Sequence, residues 1–107
     1  MNLTSFLQDG VLTVALTGEI DHHCAKRYIQ AITGKIEAYT PKVCILDFRE
    51  VTFMDSSGIA VVINTLRMMN RQNGKLLVCG LMDQPLKVFK ASGIDKLVQW
   101  GEKNHEV

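Results

Sequence analysis

The residues whose types could do chemistry lie in one short run of small polar and acidic side chains, Met54-Asp55-Ser56-Ser57-Gly58. An apolar pattern typical of a helix follows at once, so this run falls at the first turn of that helix. A helix start has unpaired N–H groups, and an aspartate or serine there can act simply as a cap. A serine hydroxyl at the same place could instead accept a phosphate, because the positive helix start tolerates an added charge of about −2. These residues alone leave both interpretations open.

Two other kinds of site fit the sequence poorly. Neighbouring residues on a helix point in different directions, so His22, His23 and Cys24 cannot easily share one metal ion. A serine hydrolase built on Ser57 would need a G-x-S-x-G turn and a positioned histidine, but the motif is absent and His105 lies in a polar tail. No glycine-rich phosphate loop is present either. We therefore predict no metal, no cofactor and no catalytic residue.

Length and composition limit the partners of such a site. The 107 residues predict a single domain, residues 1–107, and 47% apolar residues suffice for a core. The net charge is +1 without a cluster of basic residues, so nucleic-acid binding is not predicted. The sequence has no signal peptide and no apolar run that could span a membrane, which predicts a cytoplasmic protein. Its three cysteines form no C-x-x-C pair, and Cys44 and Cys79 lie in apolar runs, where cysteine acts as a small hydrophobe.

The elements that must position the serine run start with a β-hairpin. Asp9-Gly10, a strong two-residue turn signal, separates predicted strands at residues 3–8 and 11–17. The second of these strands alternates apolar and mildly polar side chains, so one of its faces is predicted to be buried. Residues 17–21 are predicted to form a connector to the first helix.

Asp21 is predicted to cap the first helix, which ends near Tyr39 because Pro41 forbids its continuation. Helical spacing places four apolar side chains on its inward face: Ala25, Ile29, Ile32 and Ile36. A short apolar strand, buried on both faces, is predicted at residues 43–48. Asp47 occupies a strand end, as the acceptor of a phospho-aspartate receiver does, but the acidic pair and late lysine of receivers are absent. We predict that Asp47 is a turn residue.

The second helix is predicted to run from Ser57 or Gly58 to Gln72, preceded by a loop that contains Arg49-Glu50. Five apolar side chains form its core face: Ile59, Val62, Ile63, Leu66 and Met69. Val61 and Met68 lie beside this face, and they either widen it or belong to an apolar patch for partner docking.

A strand at residues 75–79 leads to a third helix, which begins at Asp83-Gln84-Pro85, where the missing N–H of proline does no harm, and ends at Gly93. A last strand is predicted at residues 98–100, before a polar tail. The order β-β-α-β-α-β-α-β predicts an α/β fold, in which an N-terminal hairpin precedes alternating helices and strands in a mixed sheet packed with helices.

Four blocks of the sequence together resemble one family: Thr17-Gly18-Glu19-Ile20-Asp21-His22-His23, Phe53-Met54-Asp55-Ser56-Ser57-Gly58, Leu77-Val78-Cys79 and Val88-Phe89-Lys90-Ala91-Ser92-Gly93-Ile94. In order and spacing they are similar to the stand-alone STAS domain of bacterial anti-sigma-factor antagonists. The resemblance covers nearly the whole chain. The first block narrows it toward the sporulation branch of that family.

The resemblance implies a regulated binding protein and not an enzyme. The unphosphorylated form would bind an anti-sigma factor that is also a serine kinase, and so release the sigma factor. The kinase, which holds the ATP, would phosphorylate Ser57 and switch binding off, and a serine phosphatase would reverse this. The residues implied to contact the partner are Asp21, His22, Asp55, Ser56, Ser57 and Gly58.

An alternative within the same fold is a structural STAS subunit of a larger signalling scaffold. Such a subunit should assemble into very large particles, whereas the antagonist is expected to be a monomer or a weak dimer. The partners implied for the antagonist are proteins, with no nucleic acid and no membrane among them.

Overall fold

A computed structural model describes residues 2–101 of the chain. In this range the elements follow in the predicted order: β1 (Asn2–Gln8), β2 (Val11–Ile20), α1 (His22–Tyr39), β3 (Val43–Met54), α2 (Ser56–Arg71), β4 (Lys75–Cys79), α3 (Asp83–Ser92), a short 3₁₀ turn (Ile94–Lys96) and β5 (Gln99–Trp100). The predicted polar tail, with His105, lies outside the described residues except for its first residue, Gly101.

The strands form one five-stranded mixed sheet in the order β1-β2-β3-β4-β5. β1 and β2 are antiparallel, and Asp9 and Gly10 both have positive φ, 54° and 80°, as the predicted two-residue turn requires. Each later strand is parallel to its neighbour and follows a helix in the chain. The predicted α/β fold, a hairpin followed by alternating helices and strands, is confirmed.

The core lies between the three helices and one face of the sheet. Alternate side chains of the central strands are buried there: Leu12, Val14 and Leu16 on β2, Cys44 and Leu46 on β3, and Leu76 and Val78 on β4. They form one cluster with the buried side chains of the helices. The opposite face of the sheet carries the alternate, half-exposed residues, so the layers are helices on one side and an open sheet face on the other.

The helix faces differ from the predicted ones on α1 and α2. Tyr28, not Ile29, takes the buried place on α1, and Ile29 is half-buried. Tyr28 is preferred because its hydroxyl donates a hydrogen bond to the carbonyl oxygen of Thr17 at 2.9 Å, so that its polar end is satisfied inside the protein.

On α2, Thr65 is fully buried, and the predicted core residues Ile63 and Leu66 are half-buried. Val61 is fully buried and Met68 packs partly buried against the core, so both widen the core face.

The two strands that lead to the serine run are longer than predicted. Residues 17–20 continue β2 and do not form a connector, and residues 49–54 continue β3 and do not form a loop. The two strands stay paired as far as Ile20 and Met54. This extension determines where the second helix starts.

Two β-bulges let this pairing continue through a polar sequence. Between the partners Ala15 and Asp47 and the partners Thr17 and Glu50, β3 advances three residues while β2 advances two. A second register shift follows before the strands end. Because each bulge breaks the alternation of inward and outward side chains, the sequence of this stretch does not show the two-residue period of a strand.

An ion pair stabilises the first bulge. Asp47 is 7% exposed, and its carboxylate accepts hydrogen bonds from Arg49 Nε at 3.0 Å, Arg49 Nη2 at 2.7 Å and the Arg49 backbone N–H at 2.9 Å. Asp47 therefore lies within β3, and its prediction as a turn residue is wrong, because the bulge allows the strand to continue. Gly80, at φ 78°, packs so closely that a Cβ would lie 2.6 Å from Arg49 Cγ and 2.8 Å from Asp47 Oδ1.

The three cysteines carry free thiols. Burial raises the pKa of Cys44 to about 12, and burial together with the negative charge of Asp47 raises the pKa of Cys79 to about 11. Both thiols are therefore protonated at neutral pH. They act as the small apolar side chains that their sequence positions predict.

We expect Gly80→Ala to destabilise the protein more than Gly93→Ala. Both glycines have left-handed φ values, 78° and 84°, where any other L-residue costs about 1–2 kcal/mol. A Cβ at Gly93 meets no atom within 4 Å, whereas one at Gly80 overlaps the Asp47–Arg49 pair, which adds about 1–3 kcal/mol. Urea unfolding of both variants measures the difference, and equal losses would mean that the ion pair yields without cost.

Candidate functional site

Two helices start side by side at the carboxyl ends of β2 and β3. Ile20 and Met54 are the last partners of the two parallel strands, and the backbone N–H of Asp55 donates to the carbonyl oxygen of Ile20 at 3.3 Å. α1 and α2 each begin two residues after these partners. The positive ends of both helix dipoles therefore lie at one edge of the sheet.

An aspartate caps each of these helices. Asp21 Oδ1 accepts hydrogen bonds from the backbone N–H groups of His23 and Cys24, at 2.9 and 3.3 Å, so the predicted cap of α1 is confirmed. Asp55 Oδ1 accepts the backbone N–H of Ser57 at 2.7 Å and caps α2 in the same way. Capping is thus performed by the aspartate of the run, and the serine hydroxyls are not needed for it.

The two serines differ in exposure. α2 begins at Ser56, one residue earlier than predicted; Ser56 is exposed and Ser57 is half-buried. Within the described chain neither hydroxyl forms a hydrogen bond. Gly58 is buried, and a Cβ on it would lie 2.6 Å from Met54 Sδ. Because glycine has no side chain, α2 can pack closely on the end of β3.

The neighbouring helix start presents two histidines. His22 and His23 are both exposed, and their ring centroids lie 4.2 Å apart at an angle of 34°. The thiol of Cys24 points back into the protein and contacts the carbonyl oxygen of Glu19 at 3.2 Å. Among residues 2–101, no three His, Cys, Asp or Glu side chains are grouped so that they could hold a metal ion.

Within residues 2–101, the arrangement presents two serine hydroxyls without hydrogen-bond partners at the start of α2. Both carboxylates at this edge are engaged as caps, and no hydrogen bond joins a histidine to Ser57 in the part of the chain that the structure describes. The helix start supplies the positive potential that a phosphate group favours. A serine hydroxyl at such a helix start is compatible with acceptance of a phosphate.

Gln84, which the sequence does not single out, holds the end of β3 in place. β4 pairs with β3 only as far as Asp47, so the last residues of β3 have no strand on that side. The Gln84 side chain takes the place of one: the backbone N–H of Met54 donates to its Oε1, and its Nε2 donates to the Met54 carbonyl oxygen, both at 2.9 Å. Nothing local in the sequence could reveal this contact between residues 30 positions apart.

Two large apolar side chains are exposed near these helix starts. Phe53, next to Met54 on β3, is 40% exposed, and Met82, immediately before α3, is 51% exposed. Gln84 ties the beginning of α3 to Met54, so both side chains belong to the same end of the sheet. Large exposed apolar groups rimmed by polar ones are typical of protein-binding surfaces.

The chain is similar in sequence to known proteins. The family model of the STAS domain matches residues 6–107. The chain is 29% identical over 89 residues to the anti-sigma F factor antagonist of Paenibacillus polymyxa, covering 83% of this chain and 76% of that one. It is 26% identical over 91 residues to the anti-sigma-B factor antagonist of Listeria monocytogenes, covering 82% and 76%.

Solved structures share the fold. The unphosphorylated form of the anti-sigma factor antagonist SpoIIAA superposes with a TM-score of 0.74 at 19% identity and covers 97% of this chain and 90% of that one. The phosphorylated form of SpoIIAA, described as a Bacillus cell fate determinant, superposes with a TM-score of 0.72 at 24% identity and covers 94% of this chain and 92% of that one.

No helix within residues 2–101 is long and apolar enough to cross a membrane.

We expect Gln84→Ala to loosen the start of α2. Loss of the Gln84 side-chain amide leaves the backbone N–H and carbonyl groups of Met54 without this partner, which lowers the free energy of unfolding by about 1–3 kcal/mol. Amide hydrogen exchange measured by NMR should show faster exchange at Met54, whose N–H donates to Gln84.

Gln72→Ala is the matched control, because Gln72 also donates from its side chain to a backbone carbonyl, that of Pro41. It should lower stability by about 0.5–1.5 kcal/mol and leave exchange at Met54 unchanged. If both variants changed that exchange equally, the effect would be a general loss of stability, and Gln84 would have no special role at the site.

The Asp21 cap should make stability depend on pH. Partial desolvation opposes ionisation of Asp21, but hydrogen bonds from the N–H groups of His23 and Cys24 outweigh it, so the pKa of Asp21 is lowered. A lowered pKa gives stability that is present above about pH 4 and lost as the pH falls through the folded-state value. Asp21→Asn keeps a capping oxygen without the charge. Acid titration of both proteins should show a stability advantage of wild type at pH 7 that disappears toward pH 2; a constant difference would contradict it.

Proposed function

The chain belongs to the STAS domain family, and on that premise we propose that it is an anti-sigma factor antagonist of the partner-switching type. The unphosphorylated protein binds an anti-sigma factor and thereby releases the sigma factor; the phosphorylated protein does not bind. It has no enzymatic activity of its own, it acts in the cytoplasm, and the ATP is bound by the partner. The relatives from Paenibacillus polymyxa and Listeria monocytogenes, both named as antagonists of anti-sigma factors, support this assignment.

The observation that carries the proposal is the position of Ser57. It is the second residue of α2, its backbone N–H is already taken up by Asp55, and its hydroxyl has no hydrogen-bond partner in the described chain. A phosphate there would add charge next to a helix start, which does not require the domain to unfold. The modification can therefore change the surface and leave the fold intact.

Electrostatics explain why one phosphate could release the partner. Asp21 and Asp55 already place two carboxylates at this edge, and a phosphorylated Ser57 adds about two more negative charges. Burying this group against a partner costs a few kcal/mol through desolvation and repulsion, the more so beside the phosphates of a nucleotide in the partner. At about 1.4 kcal/mol per factor of ten, affinity falls by about a hundredfold or more.

The contact surface in this proposal combines polar and apolar groups. Both helix starts contribute, through Asp21, His22, Asp55, Ser56 and Ser57, and the buried Gly58 contributes by fixing the height of the α2 start over Met54. The exposed side chains of Phe53 and Met82 would add apolar area beside them.

The partner is an anti-sigma factor of the sporulation type with serine kinase activity, and a serine phosphatase restores the binding form. The identity of 29% to the anti-sigma F factor antagonist, against 26% to the anti-sigma-B factor antagonist, supports the sporulation type. Ser57 is the acceptor and not Ser56, because the resemblance to the antagonists puts the acceptor at the second serine of the run. Ser57 is half-buried in the first turn of α2.

Phosphorylation and binding can be tested together. After incubation with an anti-sigma kinase and ATP, peptide mass spectrometry should find one phosphate, on Ser57, and calorimetry should show binding weakened by about a hundredfold. Ser57→Ala should bind the kinase permanently, whereas Ser57→Glu, with one charge, should bind at least about tenfold more weakly than wild type.

Ser56→Ala is the matched control, since it removes the neighbouring hydroxyl and should leave both phosphorylation and its effect unchanged. Phosphate on Ser56 alone would reassign the acceptor. If several such kinases neither bind nor modify the protein, the switch is wrong and the scaffold role becomes the better assignment, which very large particles on a sizing column would support.

A further inference from the structure

The two edges of the sheet are protected unequally. The β5 edge is only two residues long, Gln99–Trp100, and so short an edge offers little for another chain to pair with. The β1 edge is seven residues long, Asn2–Gln8, and it contains no charged residue, no proline and no glycine. Charges, prolines and bulges are what proteins use to keep an edge strand from pairing. β1 has neither charges nor prolines, and its pairing with β2 shows no register shift that would mark a bulge.

The turn geometry determines which backbone groups β1 presents outward. A two-residue turn at Asp9-Gly10 makes Gln8 and Val11 a hydrogen-bonded pair, and such pairs alternate along an antiparallel ladder. The N–H and carbonyl groups of the intervening residues therefore point away from β2: those of Leu3, Ser5 and Leu7. Within residues 2–101, these three donors and three acceptors have no partner strand, and they are available to a further strand at regular spacing.

We infer that a second copy of this chain pairs with β1, antiparallel, about a twofold axis at Ser5. In an antiparallel ladder, outward-pointing residues must face outward-pointing residues, and Ser5 is the middle residue of the strand. A twofold axis at Ser5 therefore gives the register in which all these outward-pointing backbone groups can form hydrogen bonds. In this register Ser5 faces Ser5 of the second copy, and Leu3 faces Leu7. The two five-stranded sheets join into one.

In this register, the facing side chains of the two copies complement each other. Phe6, which is 61% exposed, lies opposite Thr4 of the second copy on the open face of the sheet, and this aromatic–β-branched pair occurs twice by symmetry. Leu7, which is 43% exposed, lies opposite Leu3 on the helix-covered face. No like charges meet, because the strand carries none. The pairing covers two of the large apolar side chains that the monomer leaves exposed.

A second copy suits this edge because the residue types that meet about Ser5 are matched: aromatic Phe6 meets β-branched Thr4, and Leu7 meets Leu3. A strand pair alone buries little area, so the dimer belongs to the weak class and forms with increasing concentration. This inference is independent of the proposed function, since Ser57 lies on α2 and β1 takes no part in the site.

Sedimentation equilibrium over about a hundredfold range of protein concentration should show a monomer–dimer equilibrium. Phe6→Lys, at an exposed position where folding is preserved, should weaken the dimer by roughly tenfold because both symmetric Phe6–Thr4 pairs are lost. Leu97→Lys is the matched control: Leu97 is 71% exposed near the opposite edge, and its replacement should leave the dimer unchanged. A wild-type protein that stays monomeric throughout, or a dimer unaffected by Phe6→Lys, would overturn the inference.

Cysteine crosslinking tests the register. Facing residues of a hydrogen-bonded pair have Cα atoms about 5.5 Å apart, within the range of a disulfide, so Ser5→Cys should crosslink two copies on mild oxidation. Thr4→Cys should not, because Thr4 and its symmetry mate are diagonal neighbours about 7–8 Å apart. The chain's own cysteines are present in both variants and cancel in the comparison. Equal crosslinking of both variants, or none of either, would contradict the register.

Discussion

The pairing of Ile20 with Met54 at the ends of two parallel strands is the contact on which the site depends. It places the starts of α1 and α2 next to each other, and the N–H of Asp55 reaches the carbonyl oxygen of Ile20 across the gap. Without the two bulges in β3, the strands could not stay in register this far through a polar sequence. The ion pair between the buried Asp47 and the exposed Arg49 at the first bulge, and the Gln84 amide at the end of β3, both help to keep this pairing intact.

Because Asp55 caps α2, the hydroxyl of Ser57 is not used as a cap. A helix start needs acceptors for its free N–H groups, and serine often provides one. Here Asp55 provides it for α2, while Gly58 lets the first turn lie directly on Met54. Ser57 is consequently fixed in position by its backbone, while its hydroxyl forms no hydrogen bond within residues 2–101. This combination is the reason why we propose Ser57 as the phosphate acceptor.

What the sequence could predict follows from the range of the interactions involved. The Asp9-Gly10 turn and the Asp21 cap depend on neighbours within a few residues, and both could be predicted. The extension of β3 through residues 49–54 could not, because its bulges remove the alternating pattern and its partner strand is distant in the chain. Tyr28 replaces Ile29 in the core because of a hydrogen bond to another element, and Gln84 reaches the site from α3, so neither has a local signal.

The close packing of Gly58 on Met54 also shields the Met54 sulfur from oxidants. The Met54 side chain is fully buried, and conversion to the sulfoxide adds a polar oxygen to a sulfur that already lies against the first turn of α2. An oxidant reaches this buried sulfur when the packing around it opens, and lifting of the first turn of α2 is one such opening. Met82, half-exposed before α3, is oxidised without any opening and provides the internal reference. The rate of sulfoxide formation at Met54, compared with that at Met82, therefore measures the opening of the structure around the start of α2.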